Sequence, residues 1–401
     1  MDSRKKNKLL FLCLFLLGLL FALPASRRAG VSWSVYGNDF TVFYAASKNL
    51  LLKSDPYNHP IAAKTPYLYP PLFAFLLLPL ALFPLPIAAF VWYFINFIAA
   101  LYLCWLIASV FEKSYRMSVF LVLLIIIFRI VVDNLWWGQC NILIALFLML
   151  WFLGSGKTWL SSFMLCLAIS IKVTPTLLLF YILLKRQWGE LGRVLVCLSV
   201  VNLATFILID NRIALIKGWF QRTVLNAEGF NWAYAGNQSL RAAVTRLFSL
   251  SNTEATLYPY VNLFDLKDSM LIWLLVVFLL SLLFIWKIVK REDRKFHLHE
   301  LAMVCSLMLL LSNLSWKAHF VMLAPALGIL VGEWIKVKSK KALLLLLITF
   351  LFCSIGFQPI FGETLHQFSE VYSSYTLTAI IAFLSMVFHK PSVLMTTKIE
   401  R

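Results

Sequence analysis

The chain has 401 residues, 61% of them hydrophobic and only 13% charged, with a mean hydropathy of +0.84; soluble domains carry about 45 to 50% apolar and about 25% charged residues, so lipid is the solvent to expect. The formal net charge of +18 comes from 36 Lys and Arg against 18 Asp and Glu, but these basic residues lie in short tracts between apolar runs, which excludes a nucleic-acid footprint. Seven cysteines lie inside or at the start of apolar runs without CxxC or CxxH spacing, which argues against a zinc site and a disulfide framework.

Apolar runs of the roughly 17 to 25 residues that cross a bilayer recur from Leu9 to Phe388 and leave no room for a soluble domain. The expected fold is all-α: one integral membrane domain over residues 1–401 with about 12 transmembrane helices. Cytoplasmic loops carry an excess of Lys and Arg. The tracts Arg4–Lys8, Lys113–Arg116, Lys185–Arg193, Lys287–Lys295 and Lys336–Lys341 are therefore placed inside the cell, with both termini. That demand predicts spans near 8–24, 87–110, 117–133, 139–153, 158–171, 173–185, 190–210, 268–290, 299–314, 318–335, 341–357 and 374–388.

The first span, 8–24, follows a basic segment and resembles a signal peptide, with Ala22-Leu23-Pro24-Ala25 imitating a cleavage site; it is read as a retained helix. An outer loop over 25–86 follows. Tyr36-Gly37-Asn38-Asp39 leads into a segment whose Phe40, Phe43, Tyr44, Leu50 and Leu51 share one helical face, as in a helix lying flat on the membrane. Asp39 has an ordinary reading as an N-cap. It also has a chemical one, a carboxylate that takes the proton of an acceptor hydroxyl. The Pro70 to Pro86 stretch holds Pro70, Pro71, Pro79, Pro84 and Pro86; since proline ends helices, a juxtamembrane helix at the outer interface is expected there. The alternative makes Leu72–Phe83 a true span and fuses 158–184 into one kinked helix, at the cost of exporting Lys113 and Arg116.

The remaining N-terminal spans fill 87–210. Between two of them, Gly138-Gln139-Cys140-Asn141 follows Trp136 and Trp137, a pattern that a tight turn and an interfacial aromatic belt explain without a ligand. Lys172 interrupts an apolar stretch in Ile171-Lys172-Val173-Thr174-Pro175. A lysine at membrane depth costs about 2.5 to 3.5 kcal/mol, which calls for a partner such as phosphate, with snorkelling to the headgroups as the alternative. A second outer loop over 211–267 carries Asn231-Trp232, then Asn237, Gln238, Arg241 and Arg246, a set suited to a sugar or diphosphate-like head or to a solvated face. The C-terminal spans, 268–388, include His319 at an outer end. A histidine there can donate to a phosphate oxygen or act as acid or base, or be a structural interfacial residue.

In order and spacing these elements resemble glycosyltransferase family 87, the polyprenol-phosphate-mannose-dependent mannosyltransferases of the GT-C fold, over roughly Asn38 to Ala326. The carriers are Asp39 with Tyr44 and Asp55-Pro56-Tyr57, Tyr69-Pro70-Pro71-Leu72, Gly138-Gln139-Cys140-Asn141, Lys172-Val173-Thr174-Pro175, Asn237-Gln238-Ser239 and Trp316-Lys317-Ala318-His319. The resemblance implies Asp39 as catalytic base, Lys172, His319 and Arg241 as contacts to the donor phosphate, and Tyr44, Tyr69, Gln139, Asn141, Asn237 and Gln238 as substrate contacts. It implies transfer of a hexose, mannose being the expected one, from a polyprenyl-phosphate carrier to a lipid- or glycan-linked hydroxyl. The reaction would be an inverting single displacement on the extracytoplasmic face of the cell (inner) membrane. No cofactor is needed and no metal site is expected, although Asp133 near the Gly138 turn keeps a divalent ion open. A transporter or flippase of a lipid-linked or anionic substrate competes with this reading. So do an enzyme using an arabinofuranosyl donor, a ligase moving a whole glycan from a diphosphate carrier, and a membrane scaffold.

Overall fold

The computed structural model describes residues 3–32, 38–57, 67–154, 158–208, 212–221, 233–248, 266–291 and 293–389, and is helical throughout, with no strand among the described residues. The N-terminal half runs α1 (Ser3–Ser32), α2 (Asp39–Leu51), α3 (Pro71–Leu76), α4 (Leu78–Ala81), α5 (Leu85–Ser109), α6 (Lys113–Trp136), α7 (Asn141–Gly154), α8 (Trp159–Ile171), α9 (Leu177–Leu184) and α10 (Trp188–Leu208). The rest is α11 (Arg212–Phe220), α12 (Leu240–Phe248), α13 (Leu266–Val289), α14 (Leu298–Leu311), α15 (Ala324–Val337), α16 (Lys340–Ser354), α17 (Gln358–Val371) and α18 (Ser374–Val387). Two 3-10 helices, Thr174–Thr176 and Lys317–Leu323, lead into α9 and α15.

Helices fall on each of the twelve predicted segments. Among the described residues four, Leu85–Ser109, Lys113–Trp136, Ser269–Val289 and Lys317–Val337, are individually long and apolar enough to cross a membrane. Others are short: α7 has 14 residues and α8 has 13. A helix of that length rises about 20 Å, less than the roughly 30 Å of hydrocarbon. The α7–α8 hairpin is therefore shorter than the apolar layer is thick, and Asn141 and Lys172 sit together at its open end.

Two expectations for the first outer loop are corrected. The Phe40 to Tyr44 part of the apolar face of α2 packs on protein, while Leu51 at its far end is exposed: Phe40 stacks on Trp92, with ring centroids 5.4 Å apart, and Phe43 packs edge-on against Tyr69 and Phe73 at 4.7 and 4.9 Å. The proline-rich stretch is two short helices, α3 and α4, broken at Leu77. Both pack on α2, so the alternative of one span over Leu72–Phe83 falls, as does fusion of 158–184, since the chain at Lys172 is extended.

Glycines set one close approach. A Cβ on Gly328 or Gly332 of α15 would lie 2.2 Å from Ile107 or 2.1 Å from Phe111. This is the small-xxx-small pattern that brings membrane helices together. At the end of the bundle holding the Lys185 tract, Lys185 is buried and donates to Glu300 at 3.0 Å and to Asp293 at 3.2 Å, while the Tyr181 hydroxyl donates to Glu300 at 2.5 Å. His297 and Arg291 also hold Asp293, at 3.0 and 2.9 Å. The sequence showed no sign of α17, which leaves α16 at a bend of 91°.

Candidate active site

Asn38, not Asp39, caps α2: its Oδ1 accepts from the Thr41 amide at 3.1 Å. Asp39 is thereby the first helical residue, with its carboxylate freed from capping and held near the positive end of the helix dipole. Its own amide donates to the Trp137 carbonyl at 3.0 Å, which ties α2 to the α6–α7 turn.

That turn is a Schellman motif. The Gln139 amide donates to the Asn134 carbonyl at 2.9 Å, the Gly138 amide donates to Leu135 at 3.2 Å, and Gly138 has φ +66°. A Cβ on Gly138 would stand 2.8 Å from Phe40 Cβ. Trp92 Nε1 donates to the Gly138 carbonyl at 2.9 Å and Asn38 Nδ2 to the Tyr93 hydroxyl at 2.6 Å. The glycine expected as a simple turn residue is the point at which the start of α2 presses on the α6–α7 turn.

Beyond the turn the predicted residues join. Gln139 Nε2 donates to Asp39 Oδ2, Asn141 Nδ2 donates to Gln139 Oε1 at 3.0 Å, and Lys172 Nζ donates to Asn141 Oδ1 at 3.2 Å and to His319 Nε2 at 3.1 Å. The ends fix the direction: an ammonium only donates and a carboxylate only accepts, so both amides must orient as they do. Facing an ammonium, which only donates, His319 is the acceptor at Nε2. The chain break after α8 makes this possible, because Pro175 ends the helical ladder and leaves Lys172 at φ −147°, ψ 139°.

Burial pushes the Asp39 carboxyl up to about 6, and the charge of Lys172 and the hydrogen bond from Gln139 oppose that rise. A carboxylate so placed is ionised at neutral pH yet retains basicity. Beside it, Asn141, Lys172, Thr174, Ser312, Ser315 and His319 line a small cavity. A lysine, an imidazole and hydroxyls facing one space suit an anion. Among the described residues no group of His, Cys, Asp and Glu has metal-holding geometry.

The other predicted residues divide. Tyr69 reaches Gln139 Oε1 from its hydroxyl at 3.4 Å and so borders the line. The Tyr44 hydroxyl donates to the Phe83 carbonyl at 2.8 Å, anchoring α2 to the end of α4. Asn237 accepts from the Ser239 and Ser315 amides at 3.1 and 3.0 Å and donates to Asn313 at 3.1 Å. The Gln238 amide group donates to the carbonyls of Ala235 and Glu370, each at 2.8 Å. Both are buried, and these side-chain bonds all go to backbone groups. Arg241 lies with its guanidinium 5.6 Å from the Trp273 ring and is not among the residues that line the cavity beside Lys172. Asn231 and Trp232 fall outside the described residues.

Sequence reasoning missed two positioning residues, Asn134 and Tyr93, and read a third, Arg246, as a ligand-facing or solvated cation. Asn134 donates to the Ala318 carbonyl at 2.9 Å and so holds the 3-10 helix of His319 to α6. Tyr93 holds Asn38. Arg246, 1% exposed, donates to the carbonyls of Tyr234, Asn237 and Val371 and to Ser373 Oγ, at 2.5 to 3.1 Å. A guanidinium with that many carbonyl partners is a loop clamp.

The family model of glycosyltransferase family 87 matches residues 67–313, so the chain belongs to that family. The match contains the Gly138 and Lys172 motifs and stops short of Asp39 on one side and His319 on the other; hydrogen bonds join both to the matched part. A polyprenol-phosphate-mannose-dependent alpha-(1-2)-phosphatidylinositol pentamannoside mannosyltransferase of Mycobacterium tuberculosis is 26% identical over 299 residues, 72% of this chain and 64% of the relative. The protein of the same description from Mycolicibacterium smegmatis is 27% identical over 268 residues, 65% of this chain and 60% of its own length. The chain thus spans less than two thirds of either relative. No solved structure matches.

Proposed function

We propose that the chain transfers a hexose, mannose by analogy with the relatives, from a polyprenyl-phosphate carrier to a lipid- or glycan-linked hydroxyl on the extracytoplasmic face of the cell membrane. The observation that carries this reading is the hydrogen-bonded line from the Asp39 carboxylate to Lys172 and His319, within a chain of family 87. Asp39 takes the proton of the acceptor hydroxyl as its oxygen bonds the anomeric carbon. The bond from that carbon to the phosphate oxygen breaks, and polyprenyl phosphate leaves carrying the electron pair. Lys172 faces that leaving charge, where a preorganised cation out of water is most effective. One displacement inverts the anomeric centre. The placement of the site at the end of short helices supports a donor whose head is presented from within the membrane.

The test is release of polyprenyl phosphate by the purified full chain from a panel of polyprenyl-phosphate sugars, with membrane lipid extract as acceptor. Release with one sugar, lost in Asp39→Asn, is the expected result; silence with every sugar overturns the reading.

A further inference from the structure

We propose that Tyr234 and Trp316 form an aromatic platform for a pyranose ring of the acceptor, an inference that rests on the sugar-transfer reading above. Their rings meet edge to face with centroids 5.9 Å apart and planes at 68°. Tyr234 is 46% exposed and Trp316 is half-buried. Gly236 lets the two rings approach, since a Cβ there would stand 2.6 Å from the Tyr234 ring and 3.2 Å from that of Trp316. The pair adjoins the proposed site: the His319 amide donates to the Trp316 carbonyl at 2.8 Å, and Ser315, the preceding residue, lines the cavity beside Lys172.

The loop that presents Tyr234 is built to hold its shape. Arg246 grips the Tyr234 and Asn237 carbonyls at 2.8 and 2.9 Å, Asn237 binds the Ser315 amide, and the Gln238 amide donates to the Ser315 carbonyl at 2.8 Å. Burying a guanidinium is costly unless its donors are matched, and here it fixes a short backbone stretch that carries a half-exposed tyrosine. Such support is what a preformed binding surface needs. Next to the rings, Lys317 and Glu370 form an ion pair at 2.7 Å. A pyranose offers a patch of C–H groups on one face and hydroxyls round its rim. The C–H patch suits the negative face of an aromatic ring, and an ammonium with a carboxylate suits the rim hydroxyls as donor and acceptor.

Interfacial aromatic anchoring of the loop is the competing explanation, and experiment separates the two. The full chain in lipid nanodiscs is examined by saturation-transfer NMR with methyl α-D-mannopyranoside as probe. The wild type should saturate the ring C–H protons, Tyr234→Phe and Trp316→Phe should retain the effect, and Tyr234→Ala and Trp316→Ala should lose most of it. In turnover, the alanine variants should raise the acceptor KM about tenfold with the donor KM unchanged. Saturation equal to wild type in both alanine variants, or a rise confined to the donor KM, overturns the platform. If no donor sugar is ever released, the transferase reading fails by itself, while saturation by the probe that is lost in the alanine variants still upholds the platform.

Discussion

Asp39 and Lys172 hold opposite ends of one directional line of hydrogen bonds, an ammonium feeding two side-chain amides that feed a carboxylate. Chains of this kind polarise along their length in a low-dielectric setting. The two charges proposed to serve acceptor and donor are therefore coupled through Gln139 and Asn141, and a change at either amide reaches both.

Asp39→Asn should cut turnover by about 10²- to 10⁴-fold. In the wild type the ionised form is the base, and burial raises its pKa to about 6, so kcat/KM should fall as pH drops through that value. Stability moves the other way: the folded carboxyl binds its proton more tightly than the unfolded one, so folding stability declines as pH rises from about 4 to about 6. The Asn variant should lack that decline. Initial rates and thermal melts across this range check both signs.

Gln139→Leu removes a hydrogen bond that holds the Asp39 pKa down. The acid limb of its pH–rate profile should shift to higher pH, with turnover reduced. An unshifted limb would show that Gln139 does not act through Asp39.

Lys172→Ala should raise the donor KM well above any change in the acceptor KM. His319→Gln, which retains an acceptor for the lysine, should keep more activity than His319→Ala. Michaelis curves with each substrate varied in turn give the comparison.

Asn237→Ala should lower the melting temperature and leave the donor KM unaltered, because the amide's partners are Ser239, Ser315 and Asn313 backbone groups. Loss of those bonds costs about 1 to 3 kcal/mol. A raised donor KM at unchanged melting temperature would restore the role of substrate contact that its motif suggests.

Gly138→Ala should both lower the melting temperature and reduce turnover. The added Cβ meets Phe40, the neighbour of Asp39, at φ +66°, a conformation costing about 1 to 3 kcal/mol in a non-glycine residue. Melts and rates on the same preparation test whether the two effects travel together.

The positions of the helices were legible because apolar runs end at Lys and Arg tracts, and the break at Lys172 was legible because a lone lysine precedes Pro175. Local signals could not choose between Asn38 and Asp39 as cap, since both residue types cap equally well. The backbone contacts of Asn237 were hidden because Asn313 lies 76 residues away; local sequence does not show which distant carbonyl a side-chain amide meets. The 91° turn into α17 was missed because the amphipathic stretch after Gly356 carries polar residues that read as loop.

Two lysines flank the segment Thr174–Leu184, and they are electrically unlike. Lys185 is answered by the carboxylates of Glu300 and Asp293, so its charge is cancelled where it stands. The hydrogen-bond partners of Lys172 are an amide oxygen and an imidazole nitrogen, which orient the ammonium without pairing it, and the Asp39 carboxylate acts on it only through space. Salt screens such a recessed charge far less than a surface one. Its pull on an anionic headgroup should therefore persist at ionic strengths that erase attraction to the exposed basic tracts.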